Sequence, residues 1–365
     1  MISGVFRAAR FAVISAMASL IGLPASSSIA EGGAFQRPPM RLSVRNADWK
    51  AYKDAFIKSD GRIVDTANGD ITHSEGQGYG LLLAVAADDP ATFELIWSFT
   101  RTEMLLRDDG LVAWKWDPAA DPHIADVNNA TDGDLLIAYA LNSAGERWNR
   151  PEYRDAAAAL SLVIVDDMLV PMNGETYILP GAEGFRGDDE PDRLITNPSY
   201  WVFPALRNLQ RLGSAEALDK TIKTGLSLLR DARFSDRKLP SDWVEVASES
   251  VMPAPDLPEE FGYNSIRIPL YLLLAGIERR ELLQPYFNDW VERGNGSPMT
   301  VDVSDGTTIT TLSDPGYRML AALVACAVTG QAIPGDLRSF SPTEYYPSTL
   351  HLLGLSVARG RFPEC

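Results

Sequence analysis

Glu75 stands in the stretch HSEGQGYG, residues 73–80, between a serine and three glycines and directly before the apolar run LLLAVAA. A carboxyl at the mouth of a helix too apolar to be solvent-exposed sits at the edge of a core, where partial burial would raise its pKa and keep it protonated near neutrality. Such a group can hand a proton to a leaving oxygen, the task of a general acid. Gly76, Gly78 and Gly80 carry no side chain, so a bulky ligand or a second backbone can approach closely. The same residues admit a plainer reading, in which Ser74 caps the helix and Glu75 complements its dipole.

A second acidic helix start follows in NNATDGD, residues 128–134, before LLIAYAL. Thr131, Asp132 and Asp134 crowd a terminus that needs a single cap, so capping alone does not require both acids. A calcium loop is a weak reading, because the remaining ligand positions of that motif are absent. Aromatic residues accompany the acids: Trp114 and Trp116 in VAWKWDP, Tyr200 and Trp201 in NPSYW, Trp243 in LPSDW, Tyr263 in FGYNSIR, Tyr345 and Tyr346 in TEYYP. Any one of them can be a core residue, but their repeated placement beside Pro, Asn and Asp suits a groove for sugar rings, which have apolar faces and polar edges. Paired carboxylates with aromatic platforms indicate glycoside hydrolysis.

The elements that must hold these residues are helical. Apolar residues recur at three- and four-residue spacing over 49–56, 81–85, 93–106, 135–141, 156–168, 203–212, 217–229, 266–274, 282–291, 319–328 and 350–357, which predicts about eleven helices and little strand. Helices joined in pairs by Gly, Pro and Asp-rich loops suggest αα-hairpins closed into a toroid of about twelve helices, with the chemistry on the loops and helix starts. No composition break divides residues 31–365, so one domain is expected there. Residues 1–30 read as a secretory signal peptide, with Arg7 and Arg10 ahead of FAVISAMASLIGLPA and small residues up to Ala30. No later segment is apolar enough to span a membrane, and a periplasmic or secreted protein is expected.

The formal charge is −16; removing the two arginines of the leader leaves 31 basic against 49 acidic residues, or −18. That charge disfavours nucleic acid and anionic lipid and leaves a neutral polymer unpenalised. Three histidines without paired spacing and two cysteines offer no metal set, so neither a metal nor another cofactor is expected. Cys326 and Cys365 are free to pair in an oxidising compartment, but sequence does not show whether they meet.

HSEGQGYGLLLAV and ATDGDLLIAYAL resemble the two signature regions of the family 8 glycoside hydrolases, especially the periplasmic endoglucanases encoded with bacterial cellulose synthase. AWKWD, NPSYW, LPSDW, GYNSIR and EYYPSTLHLLGL are similar to that family in order and rough spacing. The resemblance implies an all-α (α/α)6 barrel that cleaves internal β-1,4 bonds of cellulose or a related glucan with inversion, and association with a cellulose synthase complex. It implies Glu75 as proton donor and Asp132 as its essential partner. Trp114, Tyr200, Trp201 and Tyr263 are expected as sugar platforms, and Asp242 as a ligand for sugar hydroxyls. Arg267, three residues after Asn264, is expected either to orient a carboxylate or to pair with a structural acid. The departure is Asn264, where many members carry the general-base Asp; an amide cannot take a proton from water at useful pH. A replacement base would come from Asp132, Asp134, Asp189, Asp192 or Asp242, with Asp132 first among them. The rival reading of Asn264 is a glucan-binding protein that keeps the groove without the catalysis. A polysaccharide lyase on a similar toroid is disfavoured by the negative charge.

Overall fold

The structure, a computed structural model, describes residues 33–187, 192–248 and 250–365. Eleven α-helices occur among them, one over or next to each periodic segment: α1 (Asn46–Phe56), α2 (Ser74–Ala86), α3 (Pro90–Phe99), α4 (Thr131–Arg147), α5 (Pro151–Val163), α6 (Phe203–Leu209), α7 (Ala215–Asp231), α8 (Ile268–Ala275), α9 (Arg280–Tyr286), α10 (Pro315–Thr329) and α11 (Tyr345–Arg361). Three of the periodic segments run past the α-helix because a π-helical turn continues it, at Thr100–Met104, Ile164–Met168 and Phe287–Arg293. Local chemistry sets several boundaries. Asp89 and Asp314 accept the N–H groups of Thr92 and Gly316 ahead of Pro90 and Pro315, and α8 and α10 stop at Gly276 and Gly330 in the left-handed conformation.

Packing sorts the helices into two rings. α2, α4, α6, α8, α10 and α11 touch in that cyclic order, each against the next and α11 against α2, which closes the inner ring. Outside it, α3 lies on α2, α5 on α4, α7 on α6 and α9 on α10; α1 lies on α11, and the short 3-10 turn Gly335–Arg338 covers α10. The inner helices are buried on nearly all sides, as α8 shows with every residue from Ile268 to Ala275 buried. This explains their continuous apolar runs, whereas outer helices such as α7 carry the one-sided pattern of a surface helix. The architecture is the (α/α)6 barrel, and Ala34–Cys365 form one compact unit. The leader, residues 1–30, lies outside the described residues.

In the inner ring α2 and α4 approach each other closely. A Cβ on Gly78 would lie 2.5 Å from the Cβ of Leu136, and one on Gly133 would strike the Ser74 hydroxyl. Gly78 and Gly80 therefore serve packing, against Leu136 and Ile63, whereas Gly76 lies on the wall of the cavity described below.

Sequence periodicity did not reveal the strands. Four small antiparallel sheets occur among the described residues: β1 (Thr72–His73) with β2 (Lys115–Trp116); β3 (Leu169–Met172) with β4 (Glu175–Ile178); β5 (Arg193–Thr196), β6 (Val244–Ala247) and β7 (Val251–Pro253); and β8 (Glu260–Phe261), β9 (Met299–Asp302) and β10 (Thr308–Thr311). Each strand has two to four residues, too short for alternation to register. They stiffen the loops that link the helices. Cys326 on α10 and Cys365 form a disulfide across 39 residues, a crosslink worth about 4 kcal/mol by loop-closure arithmetic.

Candidate active site

All six inner helices begin at one mouth of the barrel, so their N-termini bring together residues far apart in sequence. Glu75 lies in the first turn of α2, Asp132 in that of α4, Arg267 just ahead of α8, and Ser199 just ahead of α6. Six converging N-termini make this mouth electropositive in backbone terms, which favours carboxylates there. Arg267, 1% exposed, joins the set: its Nη1 is 2.5 Å from Glu75 Oε2, and its Nη2 is 2.6 Å from Asp132 Oδ2 and 3.0 Å from Ser199 Oγ. One guanidinium thus holds two carboxylates in fixed positions, the fork geometry that lysine lacks. Of the two readings offered for Arg267, the structure places it against the two candidate acids themselves and not against a separate structural acid.

The two acids of ATDGD part company. Asp132 is buried and faces Arg267, while its Oδ1 accepts the Gly133 N–H at 2.8 Å. Burial pushes its carboxyl up; Arg267 opposes that shift and the nearby Glu75 charge reinforces it. Asp134 turns the other way, accepting the Val112 N–H at 2.9 Å and the Asn129 amide at 2.8 Å. Burial drives it up to about 7 against those hydrogen bonds. Asp134 therefore pins the loops on either side of Trp114 and does not reach the reacting centre.

Glu75 lines a cavity of about 590 Å³ at this mouth. Its wall includes Asp65, His73, Tyr263, Asn264, Arg267, Tyr317, Glu344 and Tyr346. Tyr263, 52% exposed, stands at the rim, with its carbonyl held by the Tyr346 hydroxyl at 2.8 Å and its ring 6.2 Å from that of Tyr317. Trp114 is partly exposed, and its indole N–H is anchored on Asp126 at 2.8 Å. Of the four expected platforms these two keep exposed surface, Tyr263 on the cavity wall and Trp114 beside it against His73.

Other positions require correction. Trp201 is 1% exposed and gives its indole N–H to the Thr221 carbonyl at 2.8 Å, so it is a core residue with no face for a sugar. Tyr200 is buried too, and the Arg267 guanidinium lies 5.8 Å from its ring centroid; it supports the arginine. Asp242 is buried and accepts the N–H groups of Gly262, Ser265 and Asn264, at 3.0, 2.8 and 3.3 Å, so it shapes the turn that presents Asn264 instead of binding a sugar hydroxyl. Of the acids considered as replacement base, Asp132 and Asp134 are engaged on both oxygens, and Asp192 lies exposed before β5. Asp189 falls outside the described residues.

Periodicity and motif missed Asp65, Ser199, Tyr317 and Glu344. Only Ser199 had a signal, inside NPSYW; the others sit in ordinary turns and helix starts, and only the closed ring places them on the cavity.

A family model, glycosyl hydrolases family 8, matches residues 31–360. The chain belongs to that family. A probable endoglucanase of Novacetimonas hansenii is 34% identical over 344 residues, covering 93% of this chain and 97% of that protein. The crystal structure of the family 8 endoglucanase Cel10 from Klebsiella pneumoniae superposes with a TM-score of 0.78 at 32% identity, over 86% of this chain and 99% of that one. An endoglucanase from Komagataeibacter sucrofermentans gives the same TM-score at 35% identity, over 86% and 97%. As a family 8 hydrolase, the chain carries its acids at the helix starts of one barrel mouth.

Proposed function

We propose that this family 8 hydrolase is an endo-β-1,4-glucanase, exported through its leader to the periplasm or beyond, that cuts internal bonds of a cellulose-like glucan made by a synthase complex. The observation that carries the reading is Glu75, at the N-terminus of an inner helix, facing an open tyrosine-walled cavity while Arg267 fixes it beside Asp132. The endoglucanase relatives of similar length support the same substrate class.

In the reaction, Glu75 gives its proton to the glycosidic oxygen as the bond to the anomeric carbon breaks. Water adds to that carbon from the opposite face, which inverts it. Asp132, in its Arg267-held position, stabilises positive charge growing on the sugar ring. Asn264, on the cavity wall, orients the water without taking its proton, which passes to solvent.

The test is a reducing-end assay on carboxymethyl cellulose, with the anomer of the first product followed by NMR. Release of ends with α-anomer formed first is expected; a folded protein that releases none would refute the glucanase reading. Asn264→Asp supplies a carboxylate base at that position and should raise kcat by about 10²-fold, the lower end of the range for a single proton-transfer group. An unchanged kcat would place the base elsewhere.

A further inference from the structure

We propose that His73 is a sugar-binding residue of this cleft, its Nδ1 accepting a hydroxyl hydrogen bond from the glucosyl unit that stacks on Trp114. The proposal rests on the glucanase reading and adds a residue to which no role had been given.

His73 ends β1, pairs with Lys115 of β2 and lies two residues before Glu75 on the wall of the same cavity. Its side chain is 27% exposed, so the imidazole is reachable. Two neighbours fix it. Nε2 lies 3.4 Å from Asp65 Oδ2, and the imidazole stacks on the Trp114 indole with centroids 5.9 Å apart and planes at 26°. Asp65 is itself immobilised by the Ala67 N–H at 3.1 Å and the Asn68 amide at 2.7 Å. Burial pushes the Asp65 carboxyl up, but the hydrogen-bonding groups of His73, Asn68 and Ala67 outweigh it and hold it below the usual carboxylate range.

With Nε2 turned to the Asp65 carboxylate, Nδ1 is the ring nitrogen left for a ligand, and in the neutral imidazole it is the acceptor. Among the described residues no hydrogen-bond partner meets Nδ1. A neutral sugar presents apolar C–H faces to an aromatic ring and hydroxyl donors at its edge. An indole with a fixed acceptor beside it matches both. The indole is anchored independently, by Asp126 on its N–H, by Lys115 5.2 Å from its ring centroid, and by the Ser74 N–H on the Trp114 carbonyl at 3.0 Å. The platform thus stays in place when His73 is changed.

Cellohexaose binding is measured by titration calorimetry on the full chain carrying Glu75→Gln, so that the readout does not depend on turnover. His73→Ala should weaken binding about five- to tenfold, the usual size for one buried hydrogen bond. His73→Gln, which keeps an acceptor, should recover most of it. In an otherwise unaltered chain the loss should appear in KM rather than kcat. Because one glucosyl unit uses both groups, His73→Ala should cost little more once Trp114→Ala is present. An unchanged Kd for a variant that melts normally, or losses at His73 and Trp114 that multiply, would overturn the proposal. Failure of the unmutated chain to release reducing ends strikes at the glucanase reading instead, and absence of cellohexaose binding in the Glu75→Gln chain removes both.

Discussion

The inner helices end as well as begin together, and the two mouths of the ring differ in charge. Acids collect where the helices start, arginines where they stop, as helix dipoles favour. Each mouth has a cavity of similar size, about 590 Å³ at the start and about 510 Å³ at the end. The polar groups differ in what they already touch. At the far mouth Arg207 donates to the carbonyls of Ala275 and Arg37, Arg361 to that of Leu274, Arg147 pairs with Asp88 and Arg211 with Glu146. Those cations close helix C-termini and surface pairs. At the near mouth Tyr263 and Glu344 face the opening exposed. Cavity volume therefore does not distinguish a site from a structural pole, whereas two carboxylates held side by side on one buried arginine do.

The sharpest way to break the contrast is at Glu75. Glu75→Gln keeps the size and hydrogen-bonding shape of the side chain but removes the transferable proton. Hydrolysis of carboxymethyl cellulose should fall about 10³-fold, within the range for a general acid, while cello-oligosaccharide binding persists. Near-normal turnover would take Glu75 out of the acid role.

Arg267 ranks next, because it is buried and balances two carboxylates at once. Arg267→Met would leave Glu75 and Asp132 adjacent with no cation between them, and removing one partner of a buried ion pair costs about 3–5 kcal/mol. Urea unfolding should show that loss together with a collapse of kcat. Near-wild-type stability would mean that the carboxylates do not depend on the guanidinium.

Asp134 sharpens the contrast within one helix turn, since its neighbour Asp132 faces the site and it does not. Its folded pKa, about 7, lies above the unfolded value. The stability it contributes is therefore full at low pH, and is lost as pH rises through 7. Between pH 5 and pH 8 that loss is about 3 kcal/mol. Asp134→Asn should flatten this part of the stability profile, read from melting temperature against pH. An unchanged slope would assign the titration to another group.

Much of this contrast was legible in the sequence. Periodicity located all eleven helices because inner and outer helices bury enough apolar surface to leave a pattern. Glu75 and the ATDGD acids were visible because acids at the head of apolar helices are conspicuous. What sequence does not carry is the direction in which each side chain turns after the ring closes. Asp132 and Asp134 sit two residues apart on one helix, nearly opposite in azimuth, and only packing against Arg267 or against Val112 tells them apart. Trp201 and Trp114 likewise share the company of Pro and Asn or Asp, yet one is driven into the core and the other stays partly exposed against His73. Tyr317 left no signal, since its ring partners Tyr263 and Tyr346 arrive from distant segments, and Asp65 left none because its local partners Ala67, Asn68 and His73 make it look like any turn acid.

The smallest effect tests the far mouth. Arg207 lies 4.0 Å from the centroid of the Phe35 ring and satisfies two backbone carbonyls, one of them at the end of α8. Arg207→Ala would leave the Ala275 carbonyl without this donor and remove packing from Phe35, at a cost of about 1 kcal/mol. Urea midpoints should fall accordingly, while kcat and KM on carboxymethyl cellulose stay at their original values, because this pole is a full barrel length from Glu75. If turnover fell with the midpoint, the two mouths would be coupled through the inner helices, and their division into a structural pole and a chemical pole would have to be given up.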